Sequence, residues 1–177
     1  MSSSFSLPRM SILYFRDVHP VTVNGGMRST SWYDIDAATL AGNGDDVKGL
    51  ERSMSQIMQL VEAERGSGIS SERIILGGFS QGGVVSLYTG LRNKLGAIFA
   101  LSSYLPQHKQ TIFTYKPDLF MAHGKIDNVI SYVFGEASMQ FLKENGCRVT
   151  WKSYNFGHSV SDEELHEMGV FLKSKLQ

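Results

Sequence analysis

Three side chains of this sequence have the types needed to transfer an acyl group: a serine, a histidine and a carboxylate, each far from the others along the chain. The serine is the most telling. Ser80 lies in Arg73-Ile-Ile-Leu-Gly-Gly-Phe-Ser-Gln-Gly-Gly-Val-Val-Ser-Leu, where an apolar strand passes through Gly78-Phe79-Ser80-Gln81-Gly82 straight into a helical pattern. This is the sequence of a nucleophile elbow, a tight strand-to-helix turn that lifts a serine hydroxyl above the carboxyl edge of a sheet. Its glycines have a mechanical reason. The serine backbone is strained, and side chains two residues to either side would collide where strand and helix cross.

A serine hydroxyl is a weak nucleophile at neutral pH and needs a base, which needs an orienting carboxylate. The elbow resembles that of α/β-hydrolases, in which the three groups follow in the order Ser, Asp or Glu, His. Of the five histidines, His158 and His166 lie late enough. His166 is flanked by glutamates in Asp162-Glu-Glu-Leu-His-Glu-Met, on a helix whose expected inward stripe is Leu165, Met168, Leu172 and Leu176, so it reads as a surface residue. His158, in Phe156-Gly-His-Ser, falls just past the carboxyl end of a strand, where a catalytic base belongs. Between Ser80 and His158 stand two aspartates. Asp118 follows Pro117 at the start of its strand, the wrong end of the sheet. Asp127, in His123-Gly-Lys-Ile-Asp, leaves the carboxyl end and is the candidate acid, against the alternative of a turn or N-cap aspartate.

The surrounding elements suit this placement. Residues 11–15 read as a short buried strand, followed by a loop with Pro20, Gly25 and Gly26 and the patch Trp32-Tyr-Asp-Ile. Residues 37–46 read as an exposed loop. From Val47, apolar residues Leu50, Met54, Ile57, Met58, Leu60 and Val61 keep helical spacing up to Gly66. Strands are expected at 74–78, 96–101, 118–122 and 147–154, and helices at 83–92, 131–144 and 161–176. Strands alternating with helices imply a parallel sheet covered on both faces, with its site at the carboxyl ends of the strands.

The 177 residues suffice for one domain. Seventeen basic and seventeen acidic residues cancel, so bulk charge favours neither nucleic acid nor an acidic membrane. Cys147 is the single cysteine, which rules out an intramolecular disulfide and fits a reducing compartment. It reads as an inert buried thiol, and Trp151 as packing. No CxxC or HExxH spacing suggests a metal. The first residues lack the pattern of a signal peptide, and no run reaches the ~20 apolar residues of a membrane span. The expectation is a cytoplasmic enzyme without metal or cofactor.

Taken in order, Pro20-Val-Thr-Val-Asn-Gly-Gly-Met, Ser31-Trp-Tyr-Asp-Ile, the segment Ile69 to Gly83, Ala100-Leu-Ser-Ser-Tyr-Leu-Pro, His123-Gly-Lys-Ile-Asp and Gly157-His resemble the phospholipase/carboxylesterase family. That family includes acyl-protein thioesterases and small carboxylesterases. The resemblance runs from about Ile12 to the end. It implies an α/β-hydrolase fold with a doubly wound, mostly parallel sheet, and one domain over residues 1–177 whose first ten are irregular. It implies a serine hydrolase of acyl esters and thioesters, acting through the triad Ser80, Asp127 and His158 on acylated proteins, lysophospholipids or small esters. Contact with a membrane surface would be at most transient; the oligomeric state is left open. The family's second oxyanion donor corresponds to the backbone N–H of Gln81. Its patch at the mouth of the site corresponds to Trp32 and Met27, an apolar wall suited to an acyl chain, with core packing as the alternative for Trp32.

One departure stands out. The family pattern has an apolar strand ending in a His-Gly-x-Gly-Asp loop ahead of the strand at 11–15, and residues 1–10 hold neither. The expectation is therefore an amino-terminally shortened fold with one oxyanion donor lacking, a loss typically worth ~10²–10³ in turnover. That opens a second reading, a catalytically impaired domain that binds acyl chains or proteins. The segment Tyr14-Phe-Arg-Asp-Val-His-Pro also departs from the pattern, and His19 within it reads as structural.

Overall fold

The computed structural model describes residues 18–36, 39, 44–107 and 113–176. Four parallel strands form its sheet, in the order β3 (Ile75–Phe79), β4 (Ala97–Leu101), β5 (Asp118–Gly124), β6 (Val149–Tyr154). Each is followed by a helix or a rim loop: α2 (Gln81–Gly90) after β3, α3 (Tyr132–Glu144) after β5 and α4 (Asp162–Leu176) after β6. The long helix α1 (Val47–Gly66) precedes the sheet. This is the doubly wound α/β-hydrolase architecture read from the sequence. The expected strand at 11–15 lies outside the described residues.

Alternation along the strands assigns the faces. Ile98, Ala100, Leu119 and Met121 point to the side of α2 and α3, where they pack with Leu87, Leu91, Met139 and Leu142. Leu101, Phe120 and Ala122 point to the other side, against Met168 and Phe171 of α4. Helix α1 lies on α2, burying Leu50, Ile57 and Val61 against Val84, Val85 and Tyr88. Its start is fixed by Asp46, whose Oδ1 accepts the Gly49 N–H at 2.9 Å, an N-cap. Leu60, placed by spacing among the apolar positions, is exposed because it falls outside the buried stripe.

Three expectations need correction. The stretch around Pro20 is a hairpin, with β1 (Val18–Val21) antiparallel to β2 (Met27–Thr30). Gly25 and Gly26, both at positive φ, turn the chain at its tip, and Pro20 is tolerated because the two-stranded ribbon leaves edge positions that need no N–H. Within 37–46, the described residues are not simply a solvated loop: Thr39 is buried and bonded to Asp36, and Asp45 accepts hydrogen bonds from Tyr104 and the Gln107 N–H. Helix α4 is rotated from the stripe read in the sequence. Glu164, Met168 and Phe171 face inward while Leu165 is exposed, because Phe171 packs its ring on Phe120 at 5.6 Å.

That rotation buries Glu164 completely, and neither carboxylate oxygen has a hydrogen-bond partner. Its own N–H is held by the Ser161 hydroxyl at 3.2 Å. Burial pushes its pKa up to about 7, outweighing the Ser161 backbone N–H, which favours the charged carboxylate. The native state therefore binds this proton more tightly than the unfolded chain, so stability falls as pH rises from the ordinary carboxylate range through about 7. Glu164→Gln should flatten that decline and raise stability at pH ~8 by about 1–3 kcal/mol, measured by urea unfolding at several pH values. A wild-type stability independent of pH across this window would contradict it.

Candidate active site

The parallel register sets the carboxyl ends of the strands side by side: Phe79 opposite Leu101, Leu101 opposite Ala122, Gly124 opposite Tyr154. Residues leaving these ends must share one rim. Ser80 follows β3 directly, Asp127 lies three residues beyond β5, and His158 four beyond β6.

Ser80 occupies the elbow with φ 55° and ψ −125°, a conformation that L-residues avoid. It is held there from both sides. Its N–H donates to the Leu101 carbonyl at 2.9 Å, and its own carbonyl accepts the N–H groups of Gly83 and Val84 at 3.0 and 3.2 Å. The glycines explain how the turn closes. A Cβ on Gly78 would lie 2.5 Å from the Gly82 carbonyl carbon, a backbone collision with nothing flexible to yield. On Gly82 the same test meets only Trp32 Nε1 at 3.9 Å, so the collision expected on both sides of the serine exists on one.

The structure brings Ser80, His158 and Asp127 into one hydrogen-bonded row. His158 Nδ1 is 2.8 Å from Asp127 Oδ2, and His158 Nε2 is 3.0 Å from Ser80 Oγ. A carboxylate only accepts, so Nδ1 carries the ring proton and Nε2 is left to accept from the serine hydroxyl. Asp127 is both things the sequence allowed, a turn aspartate and a partner of the histidine. Its Oδ1 accepts the N–H groups of Val129 and Ile130, each at 2.9 Å, which fixes the carboxylate plane and turns Oδ2 toward His158. Burial works to raise its pKa, but the bonds from His158, Val129 and Ile130 outweigh burial and hold it below the ordinary carboxylate range. Asp118 sits at the other end of β5, paired with Arg148 and Lys175. His166 is exposed on α4.

Gln81 opens α2, whose first N–H groups have no acceptor within the helix. Its backbone N–H stands at the positive end of the helix dipole, in the residue directly after the serine. Its side chain does something the sequence did not foretell. Oε1 accepts the Trp32 N–H and Nε2 donates to the Tyr33 carbonyl, both at 3.1 Å, pinning the 32–33 segment to the elbow. Trp32 is half-buried there; Met27 is 68 % exposed on β2. Phe79 was also missed: its ring centroid lies 4.7 Å from that of His158 at 46°, forming one wall of the imidazole. The one signal for it was its position immediately before the serine. Cys147 is buried away from this row, with burial pushing its thiol pKa up.

A serine on a strand-to-helix elbow, met by histidine and aspartate from later loops of a parallel sheet, defines the class of α/β-hydrolases. Comparison with known proteins narrows the class: residues 12–176 match the phospholipase/carboxylesterase family, and the chain belongs to it. It is thus a hydrolase of esters and thioesters. It is 40 % identical over 172 residues to acyl-protein thioesterase 1 of Gibberella zeae, covering 89 % of this chain and 73 % of that protein. Acyl-protein thioesterase 1 homolog 1 of Dictyostelium discoideum is 36 % identical, with 90 % and 74 % covered. Among solved structures, Arabidopsis thaliana SOBER1 superposes with a TM-score of 0.82 at 28 % identity, over 91 % of this chain and 81 % of that one. Zea mays acyl-protein thioesterase 2 gives 0.72 at 28 % identity, over 90 % and 78 %.

The Gly78 contact generates a direct test. Gly78→Ala should open the elbow, destabilise the protein by about 1–3 kcal/mol and abolish ester hydrolysis, whereas Gly82→Ala, with room for its methyl group, should cost far less stability. Urea unfolding and a chromogenic short-chain ester measure both; equal effects would refute the asymmetry.

Proposed function

We propose that this chain hydrolyses acyl thioesters on proteins through a covalent acyl-serine intermediate, with Ser80 as nucleophile, His158 as general base and Asp127 as its orienting acid. The observation that carries the reading is the unbroken row of hydrogen bonds from Ser80 Oγ through His158 to Asp127, at 3.0 and 2.8 Å.

The steps follow from the atoms. As Ser80 Oγ attacks the acyl carbonyl, His158 Nε2 takes its proton, and the imidazolium that forms faces the ionised Asp127. The negative charge developing on the carbonyl oxygen is met by the Gln81 N–H at the mouth of α2. His158 then returns the proton to the leaving thiol or alcohol. Water attacks the acyl-serine with His158 again as base, releasing the acid and restoring the serine. Trp32, pinned beside Gly82 by the Gln81 side chain, supplies an apolar wall for the acyl chain, and Met27 extends it from the hairpin; each buried CH₂ contributes about 0.8 kcal/mol. Protein thioesters are favoured over lysophospholipids or small esters because the relatives at 40 % and 36 % identity are acyl-protein thioesterases.

The test uses an S-palmitoylated peptide, a lysophospholipid and a short-chain ester, with a fluorophosphonate probe. Expected are probe labelling that Ser80→Ala abolishes, a fall of about 10⁴-fold or more in kcat for Ser80→Ala and His158→Ala, and highest kcat/KM on the thioester. Turnover by Ser80→Ala at the wild-type rate, or none by the wild type, would overturn the reading; the latter would favour an acyl-binding domain.

A further inference from the structure

Directly behind the acid lies a second imidazole that the mechanism leaves unused. His123, on β5, is fully buried. Its Nε2 is 2.9 Å from the Ile130 carbonyl oxygen. A carbonyl only accepts, so Nε2 carries the proton. The same nitrogen lies 3.4 Å from Asp127 Oδ2, the oxygen that receives the His158 Nδ1–H. Ile130 is in turn one of the two residues whose N–H groups hold Asp127 Oδ1. The Nε2–H thus bonds the carbonyl of the 127–130 turn, and at 3.4 Å its nitrogen is in charge contact, without a hydrogen bond, with the carboxylate which that turn orients.

The ring has no freedom to do otherwise. A Cβ on Gly135 of α3 would lie 2.3 Å from His123 Nδ1, so the imidazole fills the space that glycine leaves. Tyr132 meets it edge-on at 6.0 Å, and Trp151 flanks it at 6.4 Å. Nδ1 makes no hydrogen bond. As packing alone, an apolar ring would fill the same space without an orphaned nitrogen, so the polar edge turned toward Asp127 is what distinguishes histidine here. Burial, aided by the nearby His158, pushes the His123 pKa down, outweighing the Ile130 carbonyl, Asp127 and the Ser103 backbone, which favour the charged form.

We propose that His123 is a positioning residue for the acid: its Nε2–H, bonded to the Ile130 carbonyl with Asp127 Oδ2 at 3.4 Å beside it, locks the turn that presents the carboxylate to His158. This rests on the triad reading above and deepens it. Groups that orient a functional ligand from behind typically matter by 10–100-fold when removed.

The experiment compares His123→Phe, His123→Asn and His123→Gln on a chromogenic ester, with active sites counted by fluorophosphonate titration. Glutamine carries its amide nitrogen to about the reach of Nε2; asparagine and phenylalanine do not. For Phe and Asn, kcat per active site should fall about 10–100-fold, with KM held within about twofold. The acid limb of kcat/KM should move to lower pH, because a loosened carboxylate lowers the affinity of His158 for its proton. His123→Gln should recover most of both. If the Phe variant does not fold, the Gln–Asn pair decides. Unchanged kcat per site, an unmoved acid limb, or equal Gln and Asn variants would each overturn the proposal. Asp127→Asn separates the two levels: a loss of about 10⁴-fold beside an unaffected His123→Phe sinks the role of His123 alone, whereas an active Asp127→Asn sinks the triad.

Discussion

A parallel register makes the four strands of the main sheet end at the same rim, and the chemistry of this chain depends on that constraint. Ser80, Asp127 and His158 are carried by three different strand–loop connections, with β4 between the first two. A slip of one residue in any pair would move a side chain by about 3.3 Å, more than the slack in contacts of 2.8 and 3.0 Å. Register is therefore fixed by burial on both faces: shifting β4 or β5 would exchange Ile98 and Leu119 with Phe99 and Phe120, which pack against different helices.

The elbow is the strained point of this arrangement, and α2 is what holds it. Residues 83–90 are all buried, with Leu87 in one apolar cluster and Val84, Val85 and Tyr88 in another. A helix gripped on both sides cannot relax the turn at its own start, so the unfavourable φ of Ser80 persists. The segment over the site is secured differently. Gln81 clamps Trp32 and Tyr33, Asp34 accepts the Thr22 N–H and hydroxyl at 2.7 and 2.6 Å, and Tyr33 and Tyr104 link to Asp45. The hairpin bearing Met27 thus hangs from polar contacts that begin at the residue after the nucleophile. Apolar packing secures the same segment, since Tyr33 is buried with Leu50 and Val84, and Trp32 and Ile35 pack against that cluster.

The sequence disclosed what local rules govern. Strand-to-helix transition, glycine spacing and chain order singled out Ser80, Asp127 and His158, and apolar runs located the four sheet strands and the helices between them to within a few residues. What escaped it depends on three-dimensional neighbours. The rotation of α4 is decided by Phe171 against Phe120, a contact between residues 51 apart that no helical stripe encodes. The hairpin at 18–30 was hidden because Pro20 speaks against a strand and nothing local announces its two-stranded pairing. The Gln81 clamp and the His123 bracket were invisible for a related reason: each side chain bonds to backbone or carboxylate groups supplied by another turn. Gly82 shows the opposite error, a steric demand inferred by symmetry that the geometry makes only at Gly78.

Where the acyl group rests between the two half-reactions is the most direct question to put to the molecule. Rapid quenching during turnover of a slowly hydrolysed ester, followed by trypsin digestion and mass spectrometry, answers it. One acyl group is expected on the peptide spanning residues 74–92, attached to Ser80 and absent from Ser80→Ala. Steady turnover with no covalent adduct, or with the acyl group on another residue, would contradict it.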